Sequence, residues 1–236
     1  MISNNTKQII FDVTANFEGG GWSNLSGNFD GQGISHGLLQ QCLGQRSLQP
    51  IWKEALNDPS IDKSMFDEVQ LSILRSVLTM SKDEQVAWGD SISDPGHKAR
   101  VVPEWRTPLK AFGEATKPIQ MVHADAVFER AIGYCNTFKF KSIRALSFMF
   151  DICVQNGSIQ TDIIESVLKR LSIENHHTEK STLLIILDKR LDRCKPQWRE
   201  DVKLRKECII NGSGWVHEEL VNVDDTFGVS DEDFDE

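Results

Sequence analysis

Between residues 17 and 41 the chain reads FEGGGWSNLSGNFDGQGISHGLLQQ, with seven glycines around two carboxylates, Glu18 and Asp30. A glycine held in ordered structure costs about 0.5–1 kcal/mol relative to alanine, so a cluster marks tight turns or backbone brought close to another group. Ahead of the cluster, Ile9, Ile10, Val13 and Phe17 share one helical face, and Glu18 stands where that helix must end against Gly19, Gly20 and Gly21. Residues 22–36 then alternate short polar and apolar pieces around Ser-Gly, Asp-Gly and Gln-Gly turn signals. That pattern predicts a small irregular hairpin or sheet, the only notable strand region of the chain.

Elsewhere the apolar residues recur with helical period, over 37–43, 47–56, 65–80, 120–138, 141–157, 162–174, 181–194 and 198–212. The expected architecture is a mainly helical bundle with one small sheet insert near the N-terminus. Residues 88–108, rich in glycine, proline and charge, read as the best internal loop. The net charge of −9 is unevenly spread: 224–236 holds seven acids and no base, which leaves −2 for the other residues. A near-neutral body does not suit nucleic acid, and the acidic end has too little apolar content to order itself. The expected division is therefore a domain of 1–223 and a flexible acidic tail of 224–236. Residues 188–206 carry eight bases and four acids, which reads as a solvated helix face.

Five cysteines, with no CxxC and no zinc-like spacing, imply buried reduced thiols, with neither a disulfide framework nor a metal site. No cofactor is expected. No run approaches the roughly 18 apolar residues of a membrane span, and the first ten residues lack a basic region followed by an apolar one. Synthesis in the cytoplasm without a signal peptide is the expectation.

Two carboxylates presented from different elements are the minimum equipment for hydrolysing a glycosidic bond. One donates a proton to the leaving oxygen, and the other activates water or stabilises the oxocarbenium-like transition state. Glu18, next to Phe17 and close to Trp22, suits the first role, and Asp30, among hydroxyl and amide side chains, suits the second. On residue types and spacing alone, a solvated helix-end glutamate and an Asp-Gly turn account for both acids more readily, since turn acids outnumber catalytic ones.

The order of residues adds to this. Glu18, a hairpin, and then Asp30, Gly33, Ser35 and Gly37 in DGQGISHG resemble the lysozyme superfamily, most closely the branch of the family 46 chitosanases and related peptidoglycan hydrolases. There a helix-terminal Glu precedes Asp-x-x-Gly-x-Thr/Ser-x-Gly. FDICVQNGSI (150–159) and RKECIINGSGWV (205–216) resemble segments of the cell-wall hydrolases of that group. The resemblance implies a mainly α, α+β lysozyme-like fold with the hairpin as one wall of the cleft. It also implies Glu18 as general acid, Asp30 as base, and Ser35 as a second group on the attacking water. The chain departs from the chitosanases at Gln32, where a basic residue is common there, and in a shorter Glu-to-Asp segment.

The expected substrate contacts are Trp22, as a stacking ring beside Glu18, with Gln32, His36, Gln40, Asp151, Gln155 and Asn156. The expected activity is hydrolysis of the β-1,4 glycan of peptidoglycan by a phage lysis enzyme or a delivered antibacterial effector, with an immunity protein or delivery machinery as partners. Chitosan hydrolysis is the alternative, and a non-catalytic lysozyme-like binding or structural protein is the other. The glycines at 19–21, 31, 33 and 37 are expected to act as flexible joints for a closing hairpin.

Overall fold

The N-terminal apolar spacing forms α1 (Asn4–Phe17), whose inner face buries Ile10, Phe11, Val13 and Phe17. Its first turn is closed by Ser3, whose Oγ accepts the Thr6 N–H at 3.0 Å. The structure is a computed structural model describing residues 2–19, 21–173 and 177–234, with Asn156 described by its backbone alone. The chain divides into two compact units, Glu18–Asp125 and the combination of Met1–Phe17 with Ala126–Glu236.

In the Glu18–Asp125 unit, a 3₁₀ turn at Gly21–Ser23 leads into an antiparallel sheet of β1 (Leu25–Ser26), β2 (Ser35–His36) and β3 (Gln41–Cys42), in that spatial order. Then follow α2 (Leu48–Asn57), α3 (Glu68–Val77), α4 (Lys82–Ser91), the hairpin β4 (Ser93–Asp94) and β5 (His97–Val101), α5 (Pro103–Ala115) and α6 (Lys117–His123). Capping boxes start α3 and α4: Asp67 pairs with Gln70, and Ser81 with Glu84. The core centres on Trp52, which meets His36, Trp88 and Phe112 edge-on and packs with Ile34, Leu43 and Phe66.

Three expectations about helices and loops fail here. Residues 37–43 are a turn and a strand, not a helix, because Gly37 (φ 83°) and Gln40 (φ 49°) adopt left-handed backbone that no α-helix contains. Residues 88–108 are not a loop but a helix end, a hairpin and a helix start. Pro103 opens α5 where a missing N–H costs nothing. Pro108, inside α5, leaves the Glu104 carbonyl without its helical donor, and Gln70 Nε2 bonds that carbonyl at 3.0 Å. The expected helix over 120–138 also breaks at Ala124.

The other unit joins α1 to α7 (Asp125–Phe138), α8 (Ile143–Asn156), α9 (Thr161–Ile173), α10 (Glu179–Leu191), α11 (Pro196–Asn211), the hairpin β6 (Ser213–Val216) and β7 (Glu219–Asn222), and α12 (Val223–Phe227). Phe11 meets Phe128 and Phe150 edge-on, with ring centroids 5.0 and 5.5 Å apart. Together with β4–β5, the β6–β7 hairpin shows that strand is not confined to 22–36.

The acidic end is ordered, contrary to the expectation that it frays. Val229 and Phe234 are buried. The Ser230 and Glu232 carbonyls accept the Arg144 and Ile143 N–H groups at 2.9 Å each, filling two of the orphan donors at the start of α8. Arg144, nearly buried, donates to Asp231 at 2.7 Å and to both oxygens of Asp224 at 2.9 and 3.1 Å. Composition counted these acids as solvated charge; Asp231 does stay exposed and Asp224 partly so, and both pair with one buried guanidinium. A truncation ending at Val223 would expose apolar surface and strand Arg144, costing about 3 kcal/mol or more. The expected result is a melting temperature lower by roughly 6–12 °C in calorimetry; a change of a degree or less would mean these contacts do not hold the unit together.

Candidate active site

Glu18 is the first residue beyond α1, half-buried, and its carbonyl accepts Asn24 Nδ2 at 3.5 Å. Gly19 takes φ 68° immediately after it, with open space where a Cβ would be. Asn24 in turn accepts the Gly37 N–H at 2.8 Å, so the turn after Glu18 is tied to the strand that follows Asp30.

Asp30 is exposed, in the loop between β1 and β2, where its Oδ1 accepts the Gln32 N–H at 3.1 Å in an Asx turn. Asn28 fixes both sides of this loop. Its Nδ2 donates to Asp90 at 2.9 Å, its Oδ1 accepts from the Gly33 N–H at 2.8 Å, and its own N–H donates to Ser93 Oγ at 2.8 Å. Asp90 also takes the Lys98 ammonium at 2.7 Å, and its hydrogen bonds from Lys98 and Asn28 hold its carboxyl below the usual range. On the other side of Asn28, the Gly27 N–H reaches the Ala99 carbonyl at 3.0 Å. Any Cβ at Gly27 would stand 2.3 Å from the Lys98 carbonyl oxygen. The loop is thus pinned at 27–28 and at 33, and carries Asp30 between the pins.

A buried amide joins the two acid-bearing segments. Gln120 of α6 donates to the Trp22 carbonyl at 3.2 Å and accepts the Leu38 N–H at 3.0 Å, while also bonding the Gly113 carbonyl and Thr116 Oγ1. A Cβ at Gly37 would lie 2.3 Å from its Oε1. Sequence reading missed both Gln120 and Asn28. Gln120 carries no signal in its helical segment, whereas Asn28, two residues before Asp30 in a turn-rich stretch, could have been noticed as a turn-stabilising side chain.

The expectation of glycine joints is corrected for Gly33 and Gly37, which are buried close-approach glycines. The Gly33 Cα would meet a Cβ placed on Gly89 at 2.8 Å. Gly31, like Gly19, pairs a positive φ with open space; Gly20 lies outside the described residues. Ser35 is buried in β2, paired with Ser26 and Cys42. Gln32 is half-buried with its amide against Gly44, and Gln40 uses its amide on Ser26 Oγ and the Gly37 carbonyl.

Several expected sugar contacts are instead structural. Trp22 is 6% exposed and Lys117 covers its ring at 5.3 Å, so it offers no stacking face; Trp198 and Trp215 are the exposed indoles. His36 is 2% exposed. Its Nδ1 accepts from Trp52 Nε1 at 3.1 Å, which leaves the proton on Nε2, beside the Leu109 carbonyl without a well-directed hydrogen bond. Burial, only partly offset by that carbonyl, lowers its pKa from 6.5 to about 4.

In the other unit Asp151 is fully buried between Arg205, at 2.5 Å, and Lys206. Burial would raise its carboxyl, but the two cations outweigh that and hold it below the ordinary range. Burial lowers Lys206, and Asp151 opposes the shift. Gln155 is used at both ends, accepting from Lys206 at 2.7 Å and donating to Asp201 at 2.7 Å, and Asp201 also bonds His217. Asp151 is therefore a packing charge and not a sugar ligand, and two of the bases expected on a solvated face point inward to it. The Asn156 side chain lies outside the described residues.

No family model matches the chain, and no curated protein matches it. Solved structures do. The native chitosanase from Bacillus subtilis MY002 aligns with a TM-score of 0.59 at 16% identity, covering 94% of this chain and 100% of that one. A Glu-to-Ala mutant chitosanase of the same source, complexed with 6 GlcN, aligns with a TM-score of 0.58 at 16% identity, covering 94% and 98%. At this identity the likeness establishes the fold, mainly α with small antiparallel sheets, of the α+β chitosanase and lysozyme-like kind.

His36 gives a pH signature. Above pH 6.5 the imidazole is neutral in both folded and unfolded chains. Between pH 6.5 and about 4 the unfolded chain takes up a proton that the folded one refuses, so stability is lost as pH falls, approaching about 3 kcal/mol. Urea unfolding at pH 7 and pH 4 should show wild type losing about 2–3 kcal/mol more than His36→Asn; equal losses would mean the folded imidazole protonates freely.

Proposed function

We propose that this chain is a glycoside hydrolase acting on a β-1,4-linked amino-sugar glycan. The observation that carries the reading is the placement of two carboxyl groups, Glu18 at the end of α1 and Asp30 on a loop pinned at both ends, within a fold shared with chitosanases. Glu18 delivers its proton to the glycosidic oxygen as the carbon–oxygen bond breaks. Asp30 removes a proton from the water that attacks the anomeric carbon, and the Ser35 hydroxyl helps to hold that water. The pinned loop keeps Asp30 oriented without induced ordering, which lowers the entropic cost of the attack geometry. Asp30 acts on water and not on carbon, so the product carries the inverted anomeric configuration.

Two polymers fit this reading. Chitosan is favoured by the likeness to a chitosanase whose mutant was crystallised with 6 GlcN. Peptidoglycan is favoured by Gln32, an uncharged side chain two residues after Asp30. The decisive experiment incubates purified sacculi and soluble chitosan with wild type and with Glu18→Gln. Wild type should release soluble fragments from at least one polymer. Glu18→Gln should fall by about a thousandfold or more, since an amide fills the same space but donates no comparable proton. Retention of a tenth of the wild-type rate would remove Glu18 from the role of acid. Proton NMR in the first minutes of reaction should show the inverted anomer; a retained anomer would instead make Asp30 a nucleophile.

A further inference from the structure

In the Glu18–Asp125 unit, α2 and the connection between α3 and α4 border an open cavity of about 500 Å³, the size of pockets that hold small ligands. Its inner wall is held by two amides. Gln85 donates from Nε2 to the Val77 and Met80 carbonyls at 2.9 and 3.3 Å, so its Oε1 must accept. Gln49 Nε2 fills that acceptor at 2.5 Å and also bonds the Leu43 carbonyl at 2.8 Å. Helix α2 is thereby locked to the α3–α4 connection and to the turn after β3. Leu78 and Met80 supply apolar lining, and Met80 is exposed.

The rest of the lining is cationic. Arg46 and Lys53, both exposed, border the cavity, no acidic side chain lines it, and neither cation forms an ion pair among the described residues. The other unit has a smaller cavity, of about 250 Å³, that contains Arg144, but there Asp224 and Asp231 neutralise the guanidinium. The larger cavity therefore presents two uncompensated positive charges beside an apolar wall. A cationic polymer such as chitosan would be repelled by it, whereas a carboxylate on a short apolar arm meets both features.

The cavity is also linked through the backbone to the loop that carries the proposed base. The Leu43 N–H bonds the Ile34 carbonyl at 3.2 Å, and the Gly44 N–H bonds the Gln32 carbonyl at 2.8 Å. Two residues of chain on each side of the second bond separate Arg46 from Asp30, which limits their Cα separation to roughly 20 Å. We propose that this cavity is a subsite for a carboxylate-bearing amino sugar of the N-acetylmuramic acid kind. Its lactyl carboxylate would lie on Arg46 and Lys53, and its methyl groups against Leu78 and Met80. The choice of sugar rests on the amino-sugar hydrolase reading; the requirement for an anion rests on the cavity alone.

The test is a calorimetric and NMR titration of the full chain with N-acetylmuramic acid and with N-acetylglucosamine, which differ only in the 3-O-lactyl group that carries the carboxylate and one methyl. Neither contains a bond for a glycosidase to cut, so the readout is independent of hydrolysis, and loss of the Glu18 reading leaves it intact. The expected result is binding of N-acetylmuramic acid about tenfold or more tighter than of N-acetylglucosamine. Amide shifts should concentrate in 44–53 and 78–85, and affinity should weaken as salt is raised. The double variant Arg46→Gln with Lys53→Gln should lose about tenfold in affinity while keeping the wild-type melting temperature, since both side chains are exposed. Absent binding up to the solubility limit, equal binding of the two sugars, equal binding of inorganic phosphate, or unchanged binding by the double variant would each overturn the proposal.

Discussion

The placement of Glu18 and Asp30 depends on buried backbone groups finding side-chain partners, and Gln120 is the chief of these. Strands of two residues cannot hold a turn-rich segment by ladder bonds alone. The 3₁₀ turn after Glu18 and the chain leaving β2 each leave a buried backbone group that a helix or sheet would normally satisfy. One carboxamide, with a donor at one end and an acceptor at the other, answers the Trp22 carbonyl and the Leu38 N–H together. Gly37 and Gly113 allow the approach, since a Cβ at either would collide with Gln120 Oε1 or with the Trp22 carbonyl oxygen. Much of the glycine in this segment therefore serves proximity, while Gly19 and Gly31 serve the backbone angle.

The same logic, with charge in place of dipoles, organises the other unit. Asp151 is tolerated at zero exposure because Arg205 and Lys206 both reach it, and Lys206 is tolerated because Asp151 and Gln155 occupy its donors. Arg144 repeats the pattern with Asp224 and Asp231, and there the partners come from the last residues of the chain. Such groups hold a unit together by coupling distant segments: removing one member leaves a charge with no water to solvate it. In both cases the sequence neighbours of these residues say nothing about the pairing, because the partners lie about 50 to 90 positions away.

How much was legible follows from the range of the forces involved. Periodicity located α1, α2, α3 and α8 through α11, because an apolar face at 3.6-residue spacing is a local property. It failed at 37–43, where Leu38, Leu39 and Leu43 imitate a helical stripe while Gly37 and Gln40 take left-handed angles. It failed again at 88–108, where prolines read as loop markers although Pro103 starts a helix and Pro108 sits inside one. At the site, Glu18 at a helix end and Asp30 in a turn were legible from chain punctuation. His36 and Trp22 were misassigned because a polar or aromatic residue beside a candidate acid looks like a ligand until its burial is known, and Asp151 because its segment carries a family resemblance that says nothing of burial.

The chain by itself determined where most of the helices form, where the glycine-rich turns interrupt them, and that two carboxylates flank the first interruption, since each depends on residues within a few positions of one another. Only the tertiary structure decided which polar groups are buried and by what they are satisfied. Gln120 became a brace, Asp151 a buried counter-ion, the acidic end a set of partners for Arg144, and Arg46 and Lys53 the cationic edge of a cavity. The physical reason is that desolvation and long-range pairing are properties of the packed chain, and the same side chain costs or stabilises according to what the fold brings beside it.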